Sequence, residues 1–209
     1  MKKHFFTVAV LMYGAFVFAH PHVAITSSVN FVWEGKSLQG AYIEWTFDRF
    51  FSADIINWLD ADRDGTFNKA ENEQVYNNAF INLRNYYYYT FIRQGKKRTN
   101  PEKVTQFKAT QNKGIMTYRF YIDLSSYAGN ELYVAVYDYT YFCDIRYAED
   151  RGVLLTYDRS QINPSFTIIE NRDYPVFYDP LGPITDTSVY YEWKPGLQTY
   201  YPREIRISW

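Results

Sequence analysis

The chain has 209 residues, 47% of them hydrophobic and 22% charged, and a formal net charge of −1. That balance excludes a disordered chain, and the lack of a basic excess excludes a general nucleic-acid binder. The length suits one domain that buries a core without disulfides.

The first element is an export signal. Lys2 and Lys3 give a positive start, and Phe5 to Phe18 is almost wholly apolar. Val17-Phe18-Ala19 places small residues at −3 and −1 of a signal peptidase site, so cleavage is predicted after Ala19. The apolar run is short for a membrane-spanning helix of ~20 residues, and no later segment is long and apolar enough to span. No Cys follows the run, which argues against lipoprotein processing. The expected location is periplasmic or otherwise extracytoplasmic, with a single mature domain over residues 20–209.

Aromatic residues reach 21%, with 22 Tyr and 16 Phe, and favour pleated, half-buried surfaces. From Val23 the pattern is strand-like. Val23, Ile25, Val29, Phe31 and Trp33 alternate with polar residues, Glu34-Gly35-Lys36 reads as a turn, and Leu38 to Phe47 reads as a second strand. The period then changes. Phe51, Ile55, Trp58 and Leu59 fall on one helical face, with Ser52 as the predicted N-cap. Val75, Ala79 and Leu83 repeat at i+4 after a capping-box-like Asn68 and Glu71. Further strands are predicted at 87–93, 104–109, 116–124, 132–139, 153–157, 165–169 and 204–209. Lys96-Lys97-Arg98 reads as a solvated loop tip, and 174–202 as irregular. The expected fold is mainly β (α+β): an antiparallel β-sandwich-like domain with a helix–loop–helix inserted at about 48–86.

Between the helices lies a twelve-residue pattern. Asp60, Asp62 and Asp64 occupy positions one, three and five of an EF-hand loop, Gly65 the sharp turn at six, Thr66 the backbone-carbonyl position seven, Phe67 the apolar position eight, Asn68 position nine and Glu71 the bidentate position twelve. Ca²⁺, a hard cation taking six to eight oxygens, is the expected ligand. The loop has no partner hand, and extracellular modules work at roughly 10⁻⁴–10⁻³ M, so a structural role is expected rather than a signalling one.

Outside the signal the only histidines are His20 and His22. Cleavage after Ala19 would make His20 the first residue, so its amine and imidazole could chelate one metal, with His22 as a third nitrogen. Imidazole suits Zn, Cu, Ni and Fe, and the expected ion is Ni, Co, Zn or Cu. Pro21 lacks the amide N–H that a square-planar terminal copper or nickel site needs. Candidate oxygen and sulfur partners are Asp48, Asp138, Asp144 and the single cysteine, Cys143, whose aromatic neighbours make burial its expected state.

His20-Pro21-His22-Val23 after a signal peptide resembles the start of a family of bacterial periplasmic proteins of unknown function, described as periplasmic components of transport systems. Trp45-Thr46-Phe47-Asp48, the 60–71 loop, Asn82-Leu83 with Tyr86 and Thr90, and the run Val136 to Phe142 match in order over roughly the first 145 residues. Ala24 and Tyr139 depart from the family pattern. The resemblance implies an accessory to nickel/cobalt-type membrane transport, with His20 and His22 binding a transition metal. Two alternatives stay open. One is a β-sandwich interaction module with structural calcium. The other is a copper-dependent enzyme using the terminal His chelate, disfavoured by the lack of a third mature His and of nucleophile-elbow, metalloprotease or Walker motifs.

Overall fold

A computed structural model describes residues 21–183 and 185–209. The predicted signal segment and His20 lie outside the described residues. In chain order, β1 (Val23–Glu34) and β2 (Ser37–Phe47) lead into α1 (Arg49–Leu59), α2 (Lys69–Asn78) and a 3-10 segment (Phe80–Tyr89). Then come β3 (Thr90–Gln94), β4 (Lys97–Thr99), β5 (Thr105–Asn112), β6 (Ile115–Asp123) and β7 (Glu131–Val136). The last part holds β8 (Cys143–Tyr147), β9 (Val153–Thr156), β10 (Ser165–Glu170), β11 (Val176–Tyr178), β12 (Gln198–Tyr200) and β13 (Arg203–Ser208).

The fold is mainly β with added helices. One sheet runs β5-β6-β2-β1-β8, with β9 also on β1; a second runs β10-β13-β7-β3-β4; β11 and β12 form a small ribbon. Alternation of buried and open residues along β1 and β6 gives each strand one apolar face. Those faces meet Ile92, Leu132, Val134, Ile205 and Ile207 of the second sheet in one core. Gly40 is needed where β2 crosses β6, because a Cβ there would clash with the Ile122 carbonyl oxygen.

The hairpin of β1 and β2 is antiparallel, as its alternation predicts. Most pairings are antiparallel, but β8 and β9 join β1 in parallel, one after the other along the same edge. The reason is a crossover. After β7 the chain leaves the second sheet through a turn at 138–142 and enters the first beside Val23. Nothing in a run of strand-forming residues specifies which strand lies alongside.

The helical region differs in detail from the pattern. Asp48, not Ser52, caps α1: its Oδ1 accepts from the Phe50 and Phe51 backbone N–H groups at 2.8 and 2.9 Å. Ser52 is buried, where its hydroxyl accepts from Met116 N–H at 3.0 Å and ties α1 to β6. Trp58 is exposed, and Ile55 and Leu59 carry the buried face. α2 stops at Asn78 rather than running through Leu83, and the chain tightens into the 3-10 segment. Tyr87, Tyr88 and Tyr89 there have positive φ of 56°, 49° and 50°; burial of Tyr88 and Tyr89 in the core holds them in that disfavoured region. Lys96 lies exposed in the two-residue turn of a β3–β4 hairpin, as its turn-like pattern predicts, while Lys97 and Arg98 belong to β4, and part of the 174–202 stretch pairs as β11 and β12.

Candidate metal centre

The loop between α1 and α2 begins where α1 ends. The Asp60 backbone N–H closes the last helical turn on the Ile56 carbonyl oxygen at 2.9 Å, and the Asp60 side chain is buried at 6% exposure. Gly65 supplies the sharp turn at φ 81°. Asn68 then caps α2. Its side-chain oxygen accepts from Glu71 N–H at 3.1 Å, and Glu71 Oε2 accepts from Asn68 N–H at 3.0 Å. This reciprocal box holds Glu71 in place, and its second oxygen, Oε1, accepts from Ala61 N–H at 2.8 Å. Glu71 is 3% exposed.

These constraints bring three carboxylates together. Asp60, Asp62 and Glu71 each offer an oxygen, and the three oxygens lie within 4.8 Å of one another. Asp60 Oδ2 accepts from Gly65 N–H at 3.2 Å, but its Oδ1 is buried and has no hydrogen-bond partner. No ion pair among the described residues supplies a cation to these groups. Three anionic oxygens at that spacing repel one another, more strongly where water is excluded. A hard divalent cation would remove the repulsion and give the orphan oxygen a partner.

Asp64, Thr66 and Asn68 sit around this triad and are turned to the loop itself. Asp64 Oδ1 accepts from Thr66 N–H and Thr66 Oγ1–H at 2.7 and 2.8 Å. The Asn68 amide N–H donates to Asp62 Oδ2 at 3.4 Å. Asn72 is an addition that the loop pattern does not include. Its amide donates to the Phe67 carbonyl oxygen at 2.9 Å, and its side-chain oxygen accepts from Ala109 N–H at 2.7 Å. One side chain therefore links the loop to β5. An Asn one position past Glu71 was the only available signal, and spacing alone cannot show that β5 lies opposite.

The second candidate region is the start of β1. His22 N–H donates to the Phe142 carbonyl oxygen at 2.9 Å, and the imidazole packs on the Phe142 ring at 5.0 Å between centroids. Val23 lies beside Cys143, and Ala24 beside Asp144, in the β1–β8 register. The four residues predicted as oxygen or sulfur partners do gather around this strand start, but each has a structural task. Asp48 caps α1 with one oxygen and accepts from Ala24 N–H with the other at 2.9 Å. Asp138 accepts from the Thr140 N–H and O–H and from Cys143 N–H. Burial pushes its carboxyl pKa up in spite of these donors. Asp144 pairs with Arg146 at 2.7 Å. Cys143 is buried against the Tyr89 hydroxyl at 3.8 Å, and burial first, then the nearby Asp138 charge, holds its thiol protonated. A protonated, enclosed thiol is a poor metal ligand.

These features define a two-sheet β protein carrying a helix–loop–helix that presents a carboxylate-lined loop. The chain belongs to the family described as "Protein of unknown function (DUF1007)", which matches residues 5–209. It is also similar to the "Uncharacterized 15.5 kDa protein in trpE 3′region" of Spirochaeta aurantia. The two are 33% identical over 98 residues, covering 46% of this chain and 70% of the relative.

Proposed function

We propose that the 60–71 loop is a calcium-binding EF-hand that braces an exported protein, and that the protein is an accessory to transition-metal transport. The observations that carry the calcium reading are the triad of Asp60, Asp62 and Glu71 oxygens within 4.8 Å and, on the same Asp60, a buried Oδ1 with no protein donor. Its test is calcium titration of chelator-stripped protein by calorimetry, with Glu71→Gln as the control. Binding of one calcium by the wild type and its weakening in the variant are expected; no binding heat in the wild type rejects the reading.

The transport reading rests on the histidine pair and on the family resemblance. Asp48, Asp138 and Cys143 have structural partners, and the donors proposed for a transition ion are nitrogens: those of His22 and His20 and the amine that cleavage after Ala19 would free. The partner would be a nickel/cobalt-type membrane transporter, and the site of action extracytoplasmic. Terminal sequencing of the exported protein should begin at His20. Metal titration of that untagged protein should bind nickel, cobalt, zinc or copper. Unchanged affinity in the His20→Ala/His22→Ala variant rejects the histidine site.

A further inference from the structure

The two large sheets have four edges, and three of them are blunted. On the first sheet, β5 carries a bulge between Thr105 and Lys108, and its Ala109 N–H is taken by the Asn72 side chain. The opposite edge is split between β8 and β9, which are five and four residues long and are separated by residues 148–152. On the second sheet, β4 is three residues long and carries Lys97 and Arg98. Short strands, bulges and charges are the devices that keep sheet edges from pairing with other chains.

The fourth edge, β10, has none of them. Its six residues pair in unbroken register with β13, and with no other strand among the described residues. It contains no Pro, Lys or Arg, and its centre is Phe, Thr and two Ile, residues that favour strands. Glu170, its one charge, sits at the last position and is paired with Arg172 at 2.8 Å. Directly opposed residues of an antiparallel pair share a face. Phe166 and Ile168 oppose the buried Ile207 and Ile205, so both lie on the core side of the sheet; Ser165, Thr167 and Ile169 lie on the other. Phe166 is nonetheless 43% exposed, because the sheet ends at β10. Ile169, on the far face, is 37% exposed.

We propose that β10 is the interface of a homodimer, in which two copies pair β10 with β10 antiparallel about a two-fold axis through Thr167. The strand's own pattern selects a second copy as its partner. A two-fold pairing must set core-side residues opposite core-side residues, so the axis passes through a residue and not between two. With the axis at Thr167, Phe166 meets Ile168 of the second copy, Ser165 meets Ile169, and each Glu170 falls opposite Pro164. An axis at Ile168 would instead set Phe166 against the Glu170 carboxylate. In the Thr167 register each copy covers the other's Phe166, backbone hydrogen bonds join the two edges, and no like charges face each other. The same strand serves on both sides, so the contact closes at two copies and builds no filament. The assignment is independent of the calcium and histidine readings, since β10 belongs to neither site.

Analytical ultracentrifugation of the purified protein at high micromolar concentration should show a dimer. Phe166→Lys and Ile169→Lys, at positions that already meet solvent, should each weaken it at least tenfold at an unchanged circular dichroism spectrum. Single cysteines report the register. At the axis, the Thr167→Cys side chains of two copies face each other, so diamide should join them in a disulfide. At Ser165 the two copies are four strand residues apart, about 13 Å, too far for a disulfide. Ser165→Cys should therefore link only when mixed with Ile169→Cys. The native Cys143 is buried and takes no part. A wild type that sediments as a monomer overturns the proposal, and would leave β10 open to a strand from another protein. So does Ser165→Cys linking to itself as readily as Thr167→Cys, or a folded lysine variant that dimerises as the wild type does.

Discussion

Asp138 holds the turn that carries the chain from one sheet to the other, through three donors on Thr140 and Cys143. Asp138→Ala would leave those donors buried without an acceptor, and is expected to cost about 1–3 kcal/mol or more in urea unfolding. The site also sets a pH dependence. Its folded pKa is raised by burial above the ordinary carboxylate value. The folded state therefore binds the proton more tightly than the unfolded chain. That contribution is present below the unfolded value of ~3.9 and is lost as the pH rises through the folded one. Asp123 runs the opposite way. The Ser125 hydroxyl and backbone N–H hold its carboxyl below the usual range, so its contribution is present above the unfolded value and lost as the pH falls. Asp123→Asn should flatten the acid side of a stability–pH curve measured by denaturant melts. The Cys143 thiol, raised by burial, should resist a thiol reagent in native protein at neutral pH and react fully in denaturant. Rapid native labelling would contradict its burial.

At the scale of elements, two side chains bind neighbours that the sequence keeps far apart. Arg93 on β3 reaches Glu204 on β13 at 2.6 Å, spanning β7 between them, and its guanidinium lies 3.7 Å from the Tyr133 ring centroid. Glu204 is 3% exposed. Glu204→Ala would strand a largely buried cation and should destabilise by about 3–5 kcal/mol, whereas charges at the rim, such as Arg172 with Glu170, should contribute little. Asp48 similarly joins α1 to β1. The hairpin and most strand positions were legible because period-two alternation is local. The identity of the α1 cap was not. Asp48 and Ser52 are both good caps, and the choice was decided by Ala24 and Met116, whose backbone N–H groups donate to them only after the sheet has formed. The second helix was overextended for a related reason: Val75, Ala79 and Leu83 keep helical spacing, but core packing of Phe80, Tyr88 and Tyr89 tightens the backbone instead. In the candidate site the positions of Asp60, Asp62 and Glu71 could be read directly, since a twelve-residue loop carries its own geometry. The commitments of Asp138 and Cys143 could not, because they depend on a crossover.

For the whole molecule, the helix–loop–helix sits between β2 and β3, and Asn72 and Ser52 attach it to the first sheet. If calcium occupies the loop, it stabilises the entire fold by linkage. At a free concentration a hundredfold above the dissociation constant, the gain is about 2.7 kcal/mol, which for a chain of this size raises the melting temperature by roughly 5–11 °C. Chelator should reverse the shift, and Glu71→Gln should abolish it. An identical melting curve with calcium and with chelator would remove the structural role from the loop.

The parallel seating of β8 and β9 on β1 bears on the order of events during folding. β1 meets β2 almost at once, because a two-residue turn, Gly35-Lys36, joins them. Its other edge stays open until Cys143 to Thr156 arrive. Until then the emerging chain presents a long, apolar-faced strand with a free row of backbone donors and acceptors, a ready template for the wrong neighbour. Contacts this distant in sequence slow folding. A nascent chain truncated before Cys143 should therefore aggregate, while one extended past Thr156 should not, a difference that size-exclusion chromatography of the two lengths would reveal.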